Sequence, residues 1–227
     1  ATFLGGPPSA VAAVGEHVFA ARVVDGYIEG EASVVWRFTA QTDAWEPVLS
    51  HSDAFNWVFA LVSVEGRLYV GGRDAVLWSD DLGETWERGE MSLATGFAAD
   101  EGFLYVPFEM GFARSDDGGT TWGGVATRWP WEPFTSSRGA TFRNVLAAAD
   151  GHVYAATARS GLYRARHGQT DWDLVGVAEH PAPWRMAAAG GHVVAATGGE
   201  AFVTSDADNV WRRSPLSATY SGGIVSD

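Results

Sequence analysis

Five acidic side chains are the candidates for acid–base chemistry in this sequence: Asp25, Glu29, Asp53, Glu132 and Glu179. They lie in segments that also carry other aromatic and charged residues. Two carboxylates that flank a glycosidic bond can act as general acid and as base or nucleophile. The separation of the two carboxylates decides whether they can do so, and the sequence does not reveal it. Catalysis therefore stays open, with these five residues as its candidates.

A second set of side chains could bind a ligand without transforming it. Guanidinium groups bind carboxylates through paired hydrogen bonds, and indole rings offer a flat apolar surface. The predicted ligand-binding residues are Arg22, Trp57, Arg73, Trp131, Arg143, Asn144, Arg159, Trp184 and Arg185. The alternatives are that the arginines pair with local acids such as Asp74, Glu109 and Glu179, and that the tryptophans cover the core.

Other chemistries have little support in the sequence. Three of the six histidines, His17, His152 and His192, follow the same kind of turn in an internal repeat, which favours a structural role. We therefore expect neither a metal site nor a cofactor. The sequence also lacks a glycine-rich phosphate loop followed by a helix, a Gly-x-Ser-x-Gly elbow and a basic stripe.

Composition narrows the class of protein and its partners. The chain has 227 residues, 28 acidic side chains and 15 basic ones, all arginine, and this net charge of -13 argues against binding nucleic acid. It has no cysteine, and no apolar run approaches the roughly 18 residues that cross a bilayer. A hydrophobic fraction of 46% is typical of a soluble globular protein, here predicted as one domain over 1–227. The compartment stays open, secretion included.

An internal repeat of about 40 residues organises the chain. Each copy begins with a strand of small residues, a tight turn and a β-prone strand. Five copies align without gaps, at 12–19, 62–69, 98–105, 147–154 and 187–194. A third strand and a turn follow, and a tryptophan then opens a fourth strand: Trp45, Trp86, Trp122, Trp172 and Trp211. The predicted four-stranded units are about 9–50, 55–91, 92–127, 140–178 and 182–216.

Two of the turns before these tryptophans share an eight-residue pattern, Ser-x-Asp-x-Gly-x-Thr-Trp. Residues 79–86 read Ser-Asp-Asp-Leu-Gly-Glu-Thr-Trp, and residues 115–122 read Ser-Asp-Asp-Gly-Gly-Thr-Thr-Trp. The other copies are degenerate, with Ala40, His167 and Asp206 at the Asp position. The pattern resembles the Asp-box, or BNR repeat, and two full matches in phase with five copies make the resemblance strong.

The resemblance implies an all-β fold, a β-propeller of five four-stranded blades with Asp-box turns between strands three and four. It also implies a structural role for the boxes: the Asp accepts backbone N–H groups, the Gly takes a positive φ and the Trp packs between sheets. Asp-box propellers include sialidases, other glycosidases, carbohydrate-binding modules, sortilin-like receptors and photosystem assembly factors. In that family the binding site lies on the face opposite the boxes.

Three functions are compatible with this resemblance. The first is binding of a carbohydrate or a small anionic molecule in an axial pocket opposite the boxes. The second is a glycoside hydrolase, sialidase-like or other, that uses the same pocket, although the first repeat lacks the Arg-Ile-Pro segment of sialidases. The third is a protein-interaction or assembly scaffold that uses the loop 129–134. Neither a nucleic acid nor a membrane is expected as a partner.

Overall fold

The computed structural model describes residues 8, 10–22, 33–50, 58–72, 75–91, 94, 96–108, 111–125, 145–157, 161–169, 171–176, 185–189, 191–196, 201–205 and 210–214. Their regular structure consists of twenty β-strands in five four-stranded antiparallel sheets. This part of the chain contains no helix, and so none that could span a membrane. The all-β class and the four-stranded repeat unit are as predicted.

Each sheet is formed by four strands that follow one another along the chain. The first contains β1 (Ala10–Val14), β2 (His17–Ala21), β3 (Ser33–Thr39) and β4 (Ala44–Ser50). The second contains β5 (Val58–Val64), β6 (Arg67–Gly72), β7 (Val76–Ser79) and β8 (Glu87–Gly89). The third contains β9 (Ala98–Asp100), β10 (Phe103–Phe108), β11 (Gly111–Ser115) and β12 (Gly123–Val125).

The last two sheets repeat this order. The fourth contains β13 (Val145–Ala149), β14 (His152–Thr157), β15 (Gly161–Arg166) and β16 (Asp173–Gly176). The fifth contains β17 (Arg185–Ala189), β18 (His192–Ala196), β19 (Ala201–Ser205) and β20 (Arg212–Ser214). Because all pairings are antiparallel between consecutive strands, the turns after the first and third strands lie at one edge of each sheet. We call this the turn edge, and the other one the loop edge.

Two-residue turns join the first and second strands at the turn edge. In the second sheet Glu65 and Gly66 have φ of 50° and 84°, and in the third Glu101 and Gly102 have 49° and 79°. Positive φ at both central positions defines a type I′ turn, whose twist suits a tight hairpin. The tight hairpin predicted in each repeat therefore has its expected geometry in these sheets.

The sheets belong to two compact units. The first unit contains residues 1–97 and 117–122, and the second contains 98–116 and 123–227. In the first unit, β1 packs alongside β5, and the first two sheets enclose a core that includes Phe19, Leu68 and Val70. In the second unit, β13 packs between β9 and β17.

The alanine run in β13 shows why small residues occupy a first strand. Ala148 packs into the core shared with the third sheet, whereas Ala147 and Ala149 pack into the core shared with the fifth. All three side chains are buried. A strand packed between two neighbours has room for little more than a methyl group on either face.

Candidate functional site

The predicted catalytic and ligand-binding residues fall mostly on segments that join the described strands. All five candidate acids and seven of the nine predicted ligand-binding residues lie outside the described residues. They are Asp25, Glu29, Asp53, Glu132, Glu179, Trp57, Arg73, Trp131, Arg143, Asn144, Arg159 and Trp184. Arg22 is described and half-buried, and it follows Ala21, which pairs with Ala10. The backbone of Arg185 is described, and it pairs with Ala196. Each of these two arginines therefore lies at the loop edge of its own sheet.

The 79–86 turn at the turn edge is organised around Asp81. Its Oδ1 accepts the Thr85 N–H at 2.9 Å, and its Oδ2 accepts the Thr85 hydroxyl at 2.6 Å. The Ser79 hydroxyl donates to Asp81 Oδ1 at 2.8 Å and accepts the Gly83 N–H at 2.7 Å. Gly83 has a φ of 92°, a conformation open to glycine at no steric cost. The carboxylate is thus used within the turn, as the motif predicts.

These hydrogen bonds make the stability of the protein depend on pH. The hydroxyl and N–H of Thr85, with the Ser79 hydroxyl, lower the pKa of Asp81 to about 2 from 3.8. A carboxyl whose pKa is lower in the folded state than in the unfolded state stabilises the folded protein fully at pH values above the unfolded pKa. This contribution is lost as pH falls through the folded pKa. We expect Asp81→Asn to be less stable than wild type at pH 7, and the difference to shrink as pH falls from about 5 to about 2.

Urea denaturation of both proteins at several pH values measures this difference. Thr85→Val removes one of the two Thr85 donors, and the pH-dependent part should become smaller in that background. A stability difference that stays constant across the pH range would show that the Asp81 hydrogen bonds do not stabilise the turn.

The 115–122 turn repeats the arrangement with small changes. Asp117 accepts the Thr121 N–H at 2.9 Å and the Thr121 hydroxyl at 2.6 Å. The Trp122 indole N–H donates to the Gly119 carbonyl at 2.8 Å, within the same turn. Gly119 has a φ of 94°. Asp81 and Asp117 therefore both serve their own turns, and neither is a candidate for catalysis.

Arginine side chains hold each of these turns from a neighbouring sheet. Arg37 of β3 donates to the carbonyl of Leu82 at 2.9 Å and to Glu84 at 2.7 Å, and it also bonds Glu46 at 2.9 Å. The Arg37 side chain is only 12% exposed, but Glu46 and Glu84 are 51% and 65% exposed, so these ion pairs contribute little and the partly buried bond to the Leu82 carbonyl is the better shielded one. The 79–86 turn is thereby tied to the first sheet.

Arg67 of β6 does the same for the 115–122 turn. It binds the Asp80 carboxylate with two nitrogens, at 2.6 and 2.9 Å, and these bonds raise the pKa of its guanidinium. Its third nitrogen donates to the Gly118 carbonyl at 3.1 Å, which also accepts the Tyr69 hydroxyl at 3.1 Å. In both turns the carbonyl after the central Asp accepts a bond from the preceding sheet.

The degenerate turn of the fourth sheet is held differently. His167, which stands at the Asp position, places Nδ1 2.9 Å from the Tyr105 hydroxyl and Nε2 3.0 Å from Asp100 Oδ2. Asp100 Oδ2 also accepts the Gly151 N–H at 2.8 Å. Burial raises the pKa of Tyr105 to about 12, so its hydroxyl stays protonated. Where the full copies bond within the turn, this copy bonds to the third sheet.

Sequence reasoning noted His167 as a departure from the motif but missed the cluster that it forms. Two signals were present. Asp100 occupies a first-strand position that is apolar in the other four copies, and His167 replaces the central Asp. Neither signal shows that the two side chains meet, because 67 residues separate them.

Solved structures with a similar fold support the architecture. No protein-family model and no curated protein matches the sequence. A GH74 enzyme from Niastella koreensis is similar over 92% of this chain and 37% of its own, with a TM-score of 0.65 and 18% identity. A computationally designed protein, Ika8, is similar over 91% of this chain and 61% of its own, with a TM-score of 0.58 and 13% identity.

A third similar structure is a chain of a nidogen/laminin complex, over 89% of this chain and 77% of its own, with a TM-score of 0.60 and 10% identity. The present chain thus spans less than two thirds of the length of the first two. At such identities the likeness concerns the fold alone. Five four-stranded antiparallel sheets with these neighbours constitute a β-propeller-like all-β fold.

Proposed function

We propose that this chain is a five-bladed β-propeller with Asp-box turns that binds a carbohydrate or a small anionic molecule at the loop edges of its sheets. The observation that carries the proposal is the antiparallel register. It separates the turn edge, where Asp81 and Asp117 are used within their turns, from the loop edge. Arg22 and Arg185 lie at the loop edge, next to the segments in which the sequence concentrates tryptophan and arginine.

The chemistry of these residues suits a small ligand with acid or hydroxyl groups. A guanidinium binds a carboxylate through two parallel hydrogen bonds, and a protein with a net charge of -13 attracts a small anion only where arginines gather. In the proposal, Trp57, Trp131 and Trp184 pack against the ligand, and Arg22, Arg143 and Arg185 pair with its polar groups.

A glycan array and calorimetric titration with the ligands that it identifies, sialosides and simple carboxylates included, test the proposal. We expect Arg22→Gln and Arg185→Gln each to weaken binding by about tenfold or more, because a hydrogen bond to a charged group contributes about 1.5–3 kcal/mol. Arg88→Gln is the matched control, since Arg88 is an exposed arginine in the middle of β8 and follows Trp86, the last residue of the 79–86 turn, by two residues.

Absence of binding to every glycan and anion, or an equal loss in Arg88→Gln, would refute the ligand site. Fluorogenic glycosides decide whether the same residues also catalyse hydrolysis. Turnover that disappears in Glu132→Gln or Glu179→Gln would replace the binding function with the enzymatic one. A scaffold function predicts instead a partner that is lost when Trp129 and Trp131 are both replaced by alanine.

A further inference from the structure

Two departures from the internal repeat are in contact at the turn edge of the second unit. The position of His167 is an aspartate in the two full copies of the motif. The position of Asp100 is apolar in every other copy, where it is Val14, Val64, Ala149 or Ala189. In the folded second unit, His167 Nε2 lies 3.0 Å from Asp100 Oδ2. Two independent exceptions to the repeat are therefore in contact, and this contact is specific to the third and fourth sheets.

The His167 ring has a fixed orientation. Its side chain is only 5% exposed, and its ring centroid lies 5.0 Å from that of Phe103 and 5.5 Å from that of Tyr105. The Tyr105 hydroxyl holds Nδ1, and the His167 backbone N–H donates to the Gly151 carbonyl at 3.0 Å. A histidine that binds a metal typically donates the N–H of its other ring nitrogen to a fixed acceptor, and the Tyr105 oxygen beside Nδ1 can take that role.

A third potential ligand stands next to this pair. Glu101, the exposed first residue of the β9–β10 hairpin turn, follows Asp100 directly. One ligand atom each of Asp100, Glu101 and His167 lies within 4.8 Å of the other two. A carboxylate at an exposed hairpin tip can rotate toward an ion at small cost.

We propose that Asp100, Glu101 and His167 form a binding site for a divalent transition metal, with zinc as the best-suited ion. Zinc accepts imidazole nitrogen at about 2.0–2.1 Å and carboxylate oxygen at about 2.0–2.2 Å, so two such ligands on one tetrahedral ion stand about 3.4 Å apart. His167 Nε2 and Asp100 Oδ2 lie 3.0 Å apart as hydrogen-bond partners, so they need to separate by only about 0.4 Å for a zinc ion to take the place of the shared proton. Water completes the coordination on the exposed side.

Metal binding changes which atoms of the cluster carry protons. Without metal, the neutral tautomer with its proton on Nε2 donates to Asp100 and accepts the Tyr105 hydroxyl at Nδ1, and this tautomer satisfies each group. The metal takes the Nε2 lone pair, so the ring proton moves to Nδ1, where it donates to the Tyr105 oxygen. In the metal-bound state the Tyr105 hydroxyl no longer donates a hydrogen bond to His167. Because that bond is lost, we expect the affinity for zinc to be moderate.

The site is separate from the proposed ligand site because its residues lie at the turn edge. Its test is therefore independent of the proposed function. Calorimetric titration of the full chain with zinc chloride, after removal of metals by a chelator, should show one saturable site per chain. Magnesium should not compete, since imidazole favours transition metals over hard cations.

Glu101→Gln is the decisive variant, because Glu101 lies outside the Tyr105–His167–Asp100 chain of hydrogen bonds. We expect it to keep the metal-free thermal stability of wild type and to weaken zinc binding by about tenfold or more, since even the outer partners of metal ligands change affinity by about 10–100-fold. Asp100→Asn should abolish binding. Its amide oxygen can still accept the Gly151 N–H, and its circular dichroism spectrum reports whether it folds.

His192→Asn is the matched control, because His192 is an exposed histidine at the start of β18 in the same unit. We expect the His192→Asn variant to bind zinc as tightly as wild type. Saturation with zinc should change the ¹⁵N chemical shift of His167 Nε2 in both proteins. The proposal is overturned if zinc produces no binding heat at millimolar concentration, if Glu101→Gln binds as tightly as wild type, or if His192→Asn weakens binding as much as Glu101→Gln does.

Discussion

Trp86→Ala is expected to lower the free energy of unfolding by about 3–5 kcal/mol, as truncation of a tryptophan packed on a core commonly does. Trp86 is half-buried and packs, together with Val48 and Leu82, against the core shared by the first two sheets. Its indole N–H donates to the Val48 carbonyl at 2.8 Å. The side chain therefore fastens the 79–86 turn to the first sheet both by packing and by a hydrogen bond.

Guanidinium denaturation of the purified chain measures this loss, and Trp86→Phe separates its two causes. Phenylalanine keeps most of the apolar surface and removes the donor, so it should cost about 1 kcal/mol from the hydrogen bond and little more from packing. If Trp86→Ala unfolds within about 1 kcal/mol of wild type, the indole does not hold the two sheets together.

Gly71→Ala is expected to destabilise the first unit by about 3 kcal/mol, the upper range for overpacking a well-packed core. A Cβ atom on Gly71 would lie 2.5 Å from the Ala94 carbonyl oxygen and 2.9 Å from Phe97 Cε2. The carbonyl oxygen cannot move aside easily, because the Ala94 N–H is bonded to the Gly72 carbonyl at 3.0 Å. Relief of the clash requires a shift of backbone.

Gly123→Ala is the control for the general effect of adding a methyl group to a strand glycine. A Cβ on Gly123 would meet only the Arg114 carbonyl oxygen, at 3.9 Å, which is an ordinary contact. We expect its stability to match or exceed that of wild type, since alanine restricts the unfolded chain by about 0.4–1 kcal/mol. Equal stabilities of the two variants in urea would show that Gly71 has room for a side chain.

The local features of the fold were predictable from the sequence. Asp81 bonds Thr85, and Asp117 bonds Thr121, in each case four residues along the chain. Such a contact depends on the turn that those few residues form, so the motif reports it directly. The hairpins follow the same logic, because an Asp-Gly pair favours a type I′ turn, and Asp150 and Gly151 both have positive φ.

The proposed ligand site stays a prediction. Its residues were chosen because aromatic and arginine side chains gather between the strands, and only Arg22 and the backbone of Arg185 belong to the described part of the chain. The antiparallel register places these two arginines at the loop edges of their own sheets.

By itself the sequence determined the repeat, the four strands of each copy and the bonds inside the two full turns. Only the tertiary structure decided which residues make contacts between the strands of different sheets or between a sheet and a turn. These contacts are Arg37 with the Leu82 carbonyl, Trp86 with the Val48 carbonyl and His167 with Asp100. The physical reason is one of range. A turn involves only a few consecutive residues, and their conformational preferences can be inferred from the sequence. A contact between two sheets depends instead on how their faces pack, and the packing of the whole unit decides that.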